Sequence, residues 1–290
     1  MSGPVIDVGQ LQEMLASGDP VVLLDVRWAL GSTDGHKQYQ RGHLPGAVYV
    51  DLETELAAPA GKGSEGRHPL PDPQDFAAAA RRWGINSGDT VVAYDAVGGT
   101  SAARAWWLLR HAGLDSVYLL DGGVVAWHRA GLALEGGPVE PTPGDVELSW
   151  GKMPVVHMWD VPAVVAGGKL LDARAKERYR GDREPVDPLA GHIPGAVNAP
   201  AADNLSAEGT FRSPEELRAS FEALGVRGDQ PVAVYCGSGV SAAHDVAALE
   251  RAGYRAALYP GSWSQWSATK GSPVAVGAKP GEWPGTGQRR

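Results

Sequence analysis

The chain has a single cysteine, Cys236, among its 290 residues. One thiol cannot form an internal disulfide, which is typical of a protein from a reducing compartment and predicts a cytoplasmic location. The lack of a second cysteine also means that no internal thiol can resolve an oxidised or sulfurated Cys236. Another molecule must therefore reset this side chain after any reaction.

Positive charge, long apolar runs and metal-binding patterns are also lacking. The formal net charge is −8, whereas a nucleic-acid partner favours a basic surface. No apolar run approaches the length of a membrane span, and no secretory signal pattern opens the chain. There is no cysteine pair, no His-x-x-x-His spacing and no Walker or dinucleotide-binding glycine motif. We therefore expect no metal, no cofactor, no nucleic acid and no membrane partner.

The sequence does contain an internal repeat. Three segments recur in the same order: Leu23–Arg27 as Leu170–Arg174, Gly42–Val48 as Gly191–Val197, and Val91–Tyr94 as Val232–Tyr235. The unit is too long for a solenoid and predicts two homologous domains. We place them at residues 1–136 and 154–270, joined by a Gly/Pro-rich linker at 137–153 and followed by a loose tail at 271–290.

Each half alternates apolar β-branched runs with segments of helical periodicity. In the first half the strands are predicted at 21–26, 90–94 and 116–120, with helices at 74–83 and 101–111 between them. The second half repeats this at 169–173, 232–235 and 256–259, with helices at 214–224 and 241–252. Such alternation predicts an α/β fold, in which each domain is a mostly parallel sheet flanked by helices.

Cys236 lies between the strand 232–235 and the helix that starts at Ser241. This places its sulfur at the carboxyl edge of the sheet, where open α/β folds bind ligands. The thiolate is the reactive form of cysteine, and a helix N-terminus alone stabilises an anion by only about 0.3–1 kcal/mol. We therefore expect the loop N–H groups to form an anion cradle, built from Gly237, Gly239, Val240 and Ser241.

The first half carries an aspartate, Asp95, where the second half carries Cys236. A carboxylate cannot replace a thiolate in sulfur chemistry. The first domain is therefore predicted to be a catalytically silent copy. Asp25, Arg27, Asp172 and Arg174 occur in both halves, which favours a role in holding the fold.

These motifs resemble those of the rhodanese superfamily. The resemblance rests on the repeated Asp-x-Arg, the Gly-His-[Leu/Ile]-Pro-Gly-Ala sequence and the strand–Cys–loop–helix segment, and it covers the chain from about Val5 to Ala268. Tandem units in which only the second carries the cysteine look like the two-domain sulfurtransferases. The loop Cys236-Gly237-Ser238-Gly239-Val240-Ser241 is similar to that of the 3-mercaptopyruvate sulfurtransferases, whereas thiosulfate-preferring rhodaneses carry basic residues directly after the cysteine.

The resemblance also implies roles for residues outside the loop. The subgroup uses a Ser–His–acid relay, whose members match Ser238, His68 and Glu53, with glutamate in place of the usual aspartate. Its substrate-binding arginine matches Arg178. A second family arginine falls on Asp187, and the nearby Arg183 is the candidate to replace it as a substrate ligand.

The implied reaction moves a sulfane sulfur from 3-mercaptopyruvate or thiosulfate, through a persulfide on Cys236, to a thiol such as thioredoxin or a small thiol, or to cyanide. A thiosulfate-preferring enzyme and a non-enzymatic sulfur carrier or regulatory module are the alternatives. A phosphatase of related fold would need arginine six residues after the cysteine. Ala242 stands there instead.

Overall fold

The computed structural model describes residues 3–60 and 64–284. The chain forms two compact units. The first comprises the residues up to Ala58, Leu70–Met153 and Leu205–Phe211. The second comprises Pro59–Pro69, Pro154–Asn204 and the residues from Arg212 onward. Each unit is an α/β domain, as the sequence predicted.

The first unit contains a five-stranded parallel sheet of order β1-β5-β4-β2-β3. Its elements are β1 (Val5–Ile6), α1 (Val8–Ser17), β2 (Val21–Asp25), α2 (Gly35–Arg41), β3 (Val48–Tyr49), α3 (Leu52–Glu55), α4 (Pro73–Arg82), β4 (Thr90–Tyr94), α5 (Ala102–His111), β5 (Val117–Leu120) and α6 (Gly123–Arg129). The central β4 is apolar on both faces, which is typical of a parallel strand covered by helices on both sides.

The second unit contains a four-stranded parallel sheet of order β7-β6-β8-β9. Its elements are a 3-10 turn (Met158–Asp160), α7 (Val161–Gly167), β6 (Lys169–Asp172), α8 (Lys176–Arg180), β7 (Val197–Asn198), a 3-10 turn (Ala201–Asn204), α9 (Pro214–Ala223), β8 (Val232–Tyr235), α10 (Ser241–Arg251), β9 (Ala257–Leu258) and α11 (Ser262–Ala268). A parallel bridge between Val155 and Leu258 extends the sheet beyond β9. The strand β8 is fully buried and ends directly before Cys236.

The repeated Asp-x-Arg motif holds the carboxyl end of the central strands in both units. Arg174 donates to both carboxylate oxygens of Asp172, with Nη2 2.6 Å from Oδ2, and to the carbonyl of Gly191. Arg27 makes a single contact of 3.0 Å with Asp25. Both arginines and both aspartates are buried or nearly so. The structure thus agrees with a role for this motif in holding the fold.

The segments predicted as linker and tail are packed parts of the two units. Residues 137–153 belong to the first unit, where the amides of Gly144 and Ser149 donate to the carbonyls of Arg81 and Ala112. The prediction of a loose tail is wrong for residues 271–284. Ala275 exchanges two backbone hydrogen bonds with His192, and Trp283 packs on the second core. Residues 285–290 of that predicted tail lie outside the described residues.

The division of the chain between the units also differs from the predicted boundaries. Residues 59–69 cluster with the second unit, although they lie inside the predicted first domain, and residues 205–211 cluster with the first. Within the second unit, Gln265 Nε2 donates to the carbonyl of Ser64 at 2.7 Å. Local patterns assign secondary structure, but they carry no signal for which core a loop joins.

Candidate active site

Cys236 is held at the carboxyl end of β8 by both of its backbone groups. Its amide donates to Ser262 Oγ at 3.1 Å, and its carbonyl accepts from the amide of Trp263 at 2.9 Å. The side chain is 2% exposed, and the amide of Gly239 donates to Sγ at 3.1 Å. A backbone N–H aimed at sulfur stabilises the thiolate more than the neutral thiol.

The loop after Cys236 turns at Gly239 and leads directly into α10. Gly239 has φ +81°, the left-handed region that only glycine adopts without strain. Val240 is buried and caps α10, and Ser241 is the first residue of that helix. The Gly239 contact supports a cradle, and the contributions predicted for Val240 and Ser241 stay predictions.

Ser238 and His68 form a buried pair in the second unit. Nδ1 of His68 lies 2.7 Å from Oγ of Ser238, and the two residues are 4% and 5% exposed. When Nδ1 carries no proton, it accepts the serine O–H and increases the basicity of that oxygen. Because Ser238 follows Cys236 by two residues, this polarised hydroxyl belongs to the loop that holds the sulfur.

Glu53 lies in the first unit, on α3. It is exposed and accepts a hydrogen bond from Trp28 Nε1 at 2.6 Å. Asp51 caps the same helix by accepting from the amides of Glu53 and Thr54. The role of Glu53 as the acid of a relay stays a prediction.

Arg178 lies beside the loop, and its role as a substrate ligand stays a prediction. Two guanidinium groups lie on the side of Gly237 where another residue would carry its side chain. A Cβ built there would be 3.3 Å from Arg178 Nη1 and 2.9 Å from Arg67 Nη2. Arg178 is anchored by Glu184, with Nη2 2.7 Å from Oε1, and by Asp187 at 3.1 Å. Arg67 forms an ion pair with the same Asp187.

The two carboxylates of this cluster differ in their titration. Burial raises the pKa of Glu184, but hydrogen bonds from Arg178 and from the amides of Asp187 and Val186 outweigh it and hold that pKa below its usual value. Burial raises the pKa of Asp187, and the neighbouring Glu184 adds to this, whereas Arg67 and Arg178 oppose it. Glu184 is therefore the firmer anchor for Arg178.

Arg67 is the residue that sequence reasoning missed. It adjoins His68, and that adjacency to a predicted relay residue was the available signal. Arg183, the predicted replacement for the second family arginine, lies on the exposed side of its segment, where its amide donates to the carbonyl of Glu177. The structure brings Arg67, and not Arg183, to the side of Gly237.

The described part of the chain contains no cluster of three or more His, Cys, Asp or Glu side chains suited to a metal. Among residues 3–60 and 64–284, no helix combines the length and apolarity needed to cross a membrane.

The fold and the thiol loop match a known family. A family model described as a rhodanese-like domain matches residues 7–130 and 159–269. The chain therefore belongs to the rhodanese family, and within it to the sulfurtransferases, as the following relatives indicate.

Two bacterial relatives cover nearly the whole chain. A Mycobacterium tuberculosis protein that carries the name of a thiosulfate sulfurtransferase, SseB, is 47% identical over 276 residues, which is 94% of this chain and 97% of the relative. A Pseudomonas aeruginosa protein that carries the name of a 3-mercaptopyruvate sulfurtransferase is 46% identical and covers 95% of this chain and 99% of the relative. The two names differ in the sulfur donor.

A solved structure shows the same fold. The Escherichia coli 3-mercaptopyruvate sulfurtransferase SseA superposes with a TM-score of 0.79 at 34% identity, covering 90% of this chain and 99% of SseA. The predicted class, a two-domain sulfurtransferase with the rhodanese fold, is confirmed.

Proposed function

We propose that the enzyme transfers a sulfane sulfur from 3-mercaptopyruvate to a thiol acceptor, with Cys236 as the carrier. The observation that supports this most directly is the buried hydrogen bond of His68 with Ser238, a residue of the loop whose Gly239 amide donates to Cys236 Sγ. A serine–histidine pair that can transfer a proton suits 3-mercaptopyruvate, because this donor releases an enolate that must be protonated to give pyruvate.

In the first half-reaction the Cys236 thiolate attacks the sulfur of 3-mercaptopyruvate. The S–S bond forms while the C–S bond breaks, and its electron pair leaves with the carbon as the enolate of pyruvate. Ser238, whose O–H is accepted by His68 Nδ1, takes up the proton of the donor thiol through its oxygen, and the Ser238–His68 pair returns this proton to the enolate carbon to give pyruvate. Arg178 binds the donor carboxylate, since a guanidinium pairs with a planar carboxylate through two parallel hydrogen bonds.

In the second half-reaction a nucleophilic acceptor, either a thiolate or cyanide, attacks the outer sulfur of the persulfide. The S–S bond breaks, and Cys236 leaves as the thiolate that began the cycle. Thioredoxin, a small thiol or cyanide fits this step, because the chain has no second cysteine to perform it. A cytoplasmic location is part of the proposal, since reducing thiols are abundant there.

Thiosulfate, a dianion, is the second candidate donor. The loop itself carries no charged residue, whereas Arg67 and Arg178 bring two positive charges to the side of Gly237. Glu184 and Asp187 offset these charges. A carboxylate, which carries one negative charge, therefore fits better than a dianion.

One kinetic comparison tests the proposal. Initial rates with 3-mercaptopyruvate and with thiosulfate are measured for the wild type and for Cys236→Ser, together with the mass of donor-treated protein. We expect a gain of one sulfur atom on Cys236 in the wild type and higher kcat/KM for 3-mercaptopyruvate. Absence of that mass gain overturns the persulfide route, and a large preference for thiosulfate overturns the choice of donor.

A further inference from the structure

Residues 64–68 are fastened to the start of α11. The amide of Arg67 donates to Ser264 Oγ at 3.1 Å, and Gln265 Nε2 donates to the carbonyl of Ser64. Gly66 has φ +90°, and a Cβ there would lie 2.6 Å from the carbonyl oxygen of Gly261. This close approach requires glycine and fixes the backbone of Arg67 against the helix.

The start of α11 is in turn fastened to the thiol loop. The amides of Trp263 and Ser264 donate to the carbonyls of Cys236 and Gly237, each at 2.9 Å. Two hydrogen bonds through Ser264, one to its hydroxyl and one from its amide, therefore connect Arg67 to the loop that carries the nucleophile. A long side chain held at its root in this way has a restricted range of positions.

The guanidinium of Arg67 has donor capacity to spare. It pairs through Nη1 with Asp187. Nη2 is the atom nearest to a Cβ built at Gly237. Within the described residues, its Nε is buried and has no hydrogen-bond partner. An unsatisfied buried donor is costly, and it gains a partner if an oxyanion binds beside it.

The residue at position 187 gives a reason for an arginine at position 67. The resemblance places a second arginine there, whereas this chain has Asp187, which contacts both Arg67 and Arg178. The aspartate thus aligns two guanidinium groups from different segments. The lack of a side chain at Gly237 leaves space for them beside the loop.

We propose that Arg67 is a donor-binding residue that, together with Arg178, binds the anionic end of the sulfur donor beside Gly237. Asp187 acts as a positioning residue for both arginines. This inference rests on the proposed function of Cys236 as sulfur acceptor, but it does not depend on which donor is preferred. A carboxylate and a sulfonate are both oxyanions that a guanidinium binds.

Binding to a protein that cannot react tests the proposal directly. The affinities of 3-mercaptopyruvate and of thiosulfate are measured by calorimetry on Cys236→Ser, on Cys236→Ser with Arg67→Gln, and on Cys236→Ser with Arg180→Gln. Arg180 is the matched control, because it is an exposed arginine two residues from Arg178 that contacts Asp182. We expect Arg67→Gln to weaken donor binding about 10- to 100-fold, and Arg180→Gln to leave it unchanged.

Kinetics with Cys236 intact provide the second readout. Arg67→Gln is expected to raise KM by a similar factor with kcat nearly unchanged, and Arg67→Lys is expected to recover part of the loss, because the charge is kept without the planar fork. Donor affinity and KM that match the Arg180→Gln control overturn the role of Arg67. A wild type that binds and uses only thiosulfate overturns the mercaptopyruvate proposal, and the thiosulfate arm then decides the role of Arg67.

Discussion

The loop after β4 and the loop after β8 both donate backbone N–H groups to the side chain that directly follows the strand, which is Asp95 in the first unit and Cys236 in the second. In the first unit the Asp95 carboxylate accepts four backbone N–H groups, from Val97 and Gly99 at 2.8 Å and from Ser101 and Ala102 at 2.7 and 3.0 Å. In the second unit the amide of Gly239 donates to Cys236 Sγ at 3.1 Å. The loop after β4 thus directs four amides, and the loop after β8 the amide of Gly239, at the side chain that directly follows the strand.

The two loops differ in the distance, counted in bonds, between Cβ and the atom that accepts the N–H groups. A carboxylate oxygen of Asp95 is two bonds from Cβ, as the outer sulfur of a cysteine persulfide would be, whereas the thiolate is one bond from Cβ. In the first unit the loop amides are therefore paired with the side chain of Asp95, which is a fixed part of the chain. The second unit has a shorter side chain at this position, which a persulfide would extend by one atom.

The largest expected effect comes from making the second loop resemble the first. Cys236→Asp should fold, because the loop amides bond the carboxylate, and should lose sulfur transfer from both donors by at least about 1,000-fold. Initial rates and circular dichroism measure this. Cys236→Ser is the control for loss of the nucleophile without an anion, and residual transfer in either variant would contradict a persulfide on Cys236.

The next effect separates the loops by chemistry. Ser238 and His68 pair in the second unit, while the first loop has no serine between Asp95 and Thr100. His68→Ala and Ser238→Ala should each lower kcat/KM for 3-mercaptopyruvate about 100-fold, and for thiosulfate much less, because sulfite leaves without a proton. Equal losses with both donors would mean that the pair only supports the loop.

Removal of the permanent anion tests the first loop. Asp95→Ala leaves four N–H groups without their carboxylate, and unsatisfied buried donors cost about 1–3 kcal/mol each. Because three of these donors, Gly99, Ser101 and Ala102, are in buried hydrogen bonds, we expect the free energy of unfolding to fall by at least about 3 kcal/mol in urea titrations. Asp95→Asn, which retains one carbonyl oxygen, should lose less. Activity per folded molecule should be kept, and its loss would give the first unit a catalytic role.

The smallest expected effect concerns the Asp-x-Arg motifs. Burial raises the pKa of Asp25 from 3.8 to about 6, and the nearby Arg27 only partly opposes it. The folded state then binds more protons than the unfolded state between about pH 4 and pH 6, so the stability that Asp25 contributes is present below this window and is lost as the pH rises through it.

Asp25→Asn should therefore reduce the pH dependence of the unfolding free energy between about pH 4 and pH 6. Urea titrations at several pH values measure the slope. Asp172→Asn is the matched variant in the second unit, where Arg174 bonds both carboxylate oxygens. An unchanged slope in Asp25→Asn would assign the pH dependence to other groups.

Much of the molecule is encoded locally. The strands 90–94 and 232–235 are observed at their predicted bounds, and the predicted helices agree to within a residue or two. Apolar periodicity, glycine stops and capping residues act over a few residues, so a single sequence reveals them. The position of Cys236 follows from the same signals, because a loop between a strand and a helix has one place in an α/β sheet.

The sequence by itself determined the repeat, the fold of each half and the thiol at the end of β8. Only the tertiary structure decided which residues lie around the thiol loop. Ser238 meets His68 across 170 residues of chain, and Asp187 meets Arg67 across 120. These contacts depend on residues 64–67 packing on α11, through side-chain and backbone bonds whose partners are remote in sequence. No local pattern encodes a partner at such separation. The pairing of Ser238 with His68 was expected only through the family resemblance, and the contact of Arg67 with Asp187 emerged only from the folded chain.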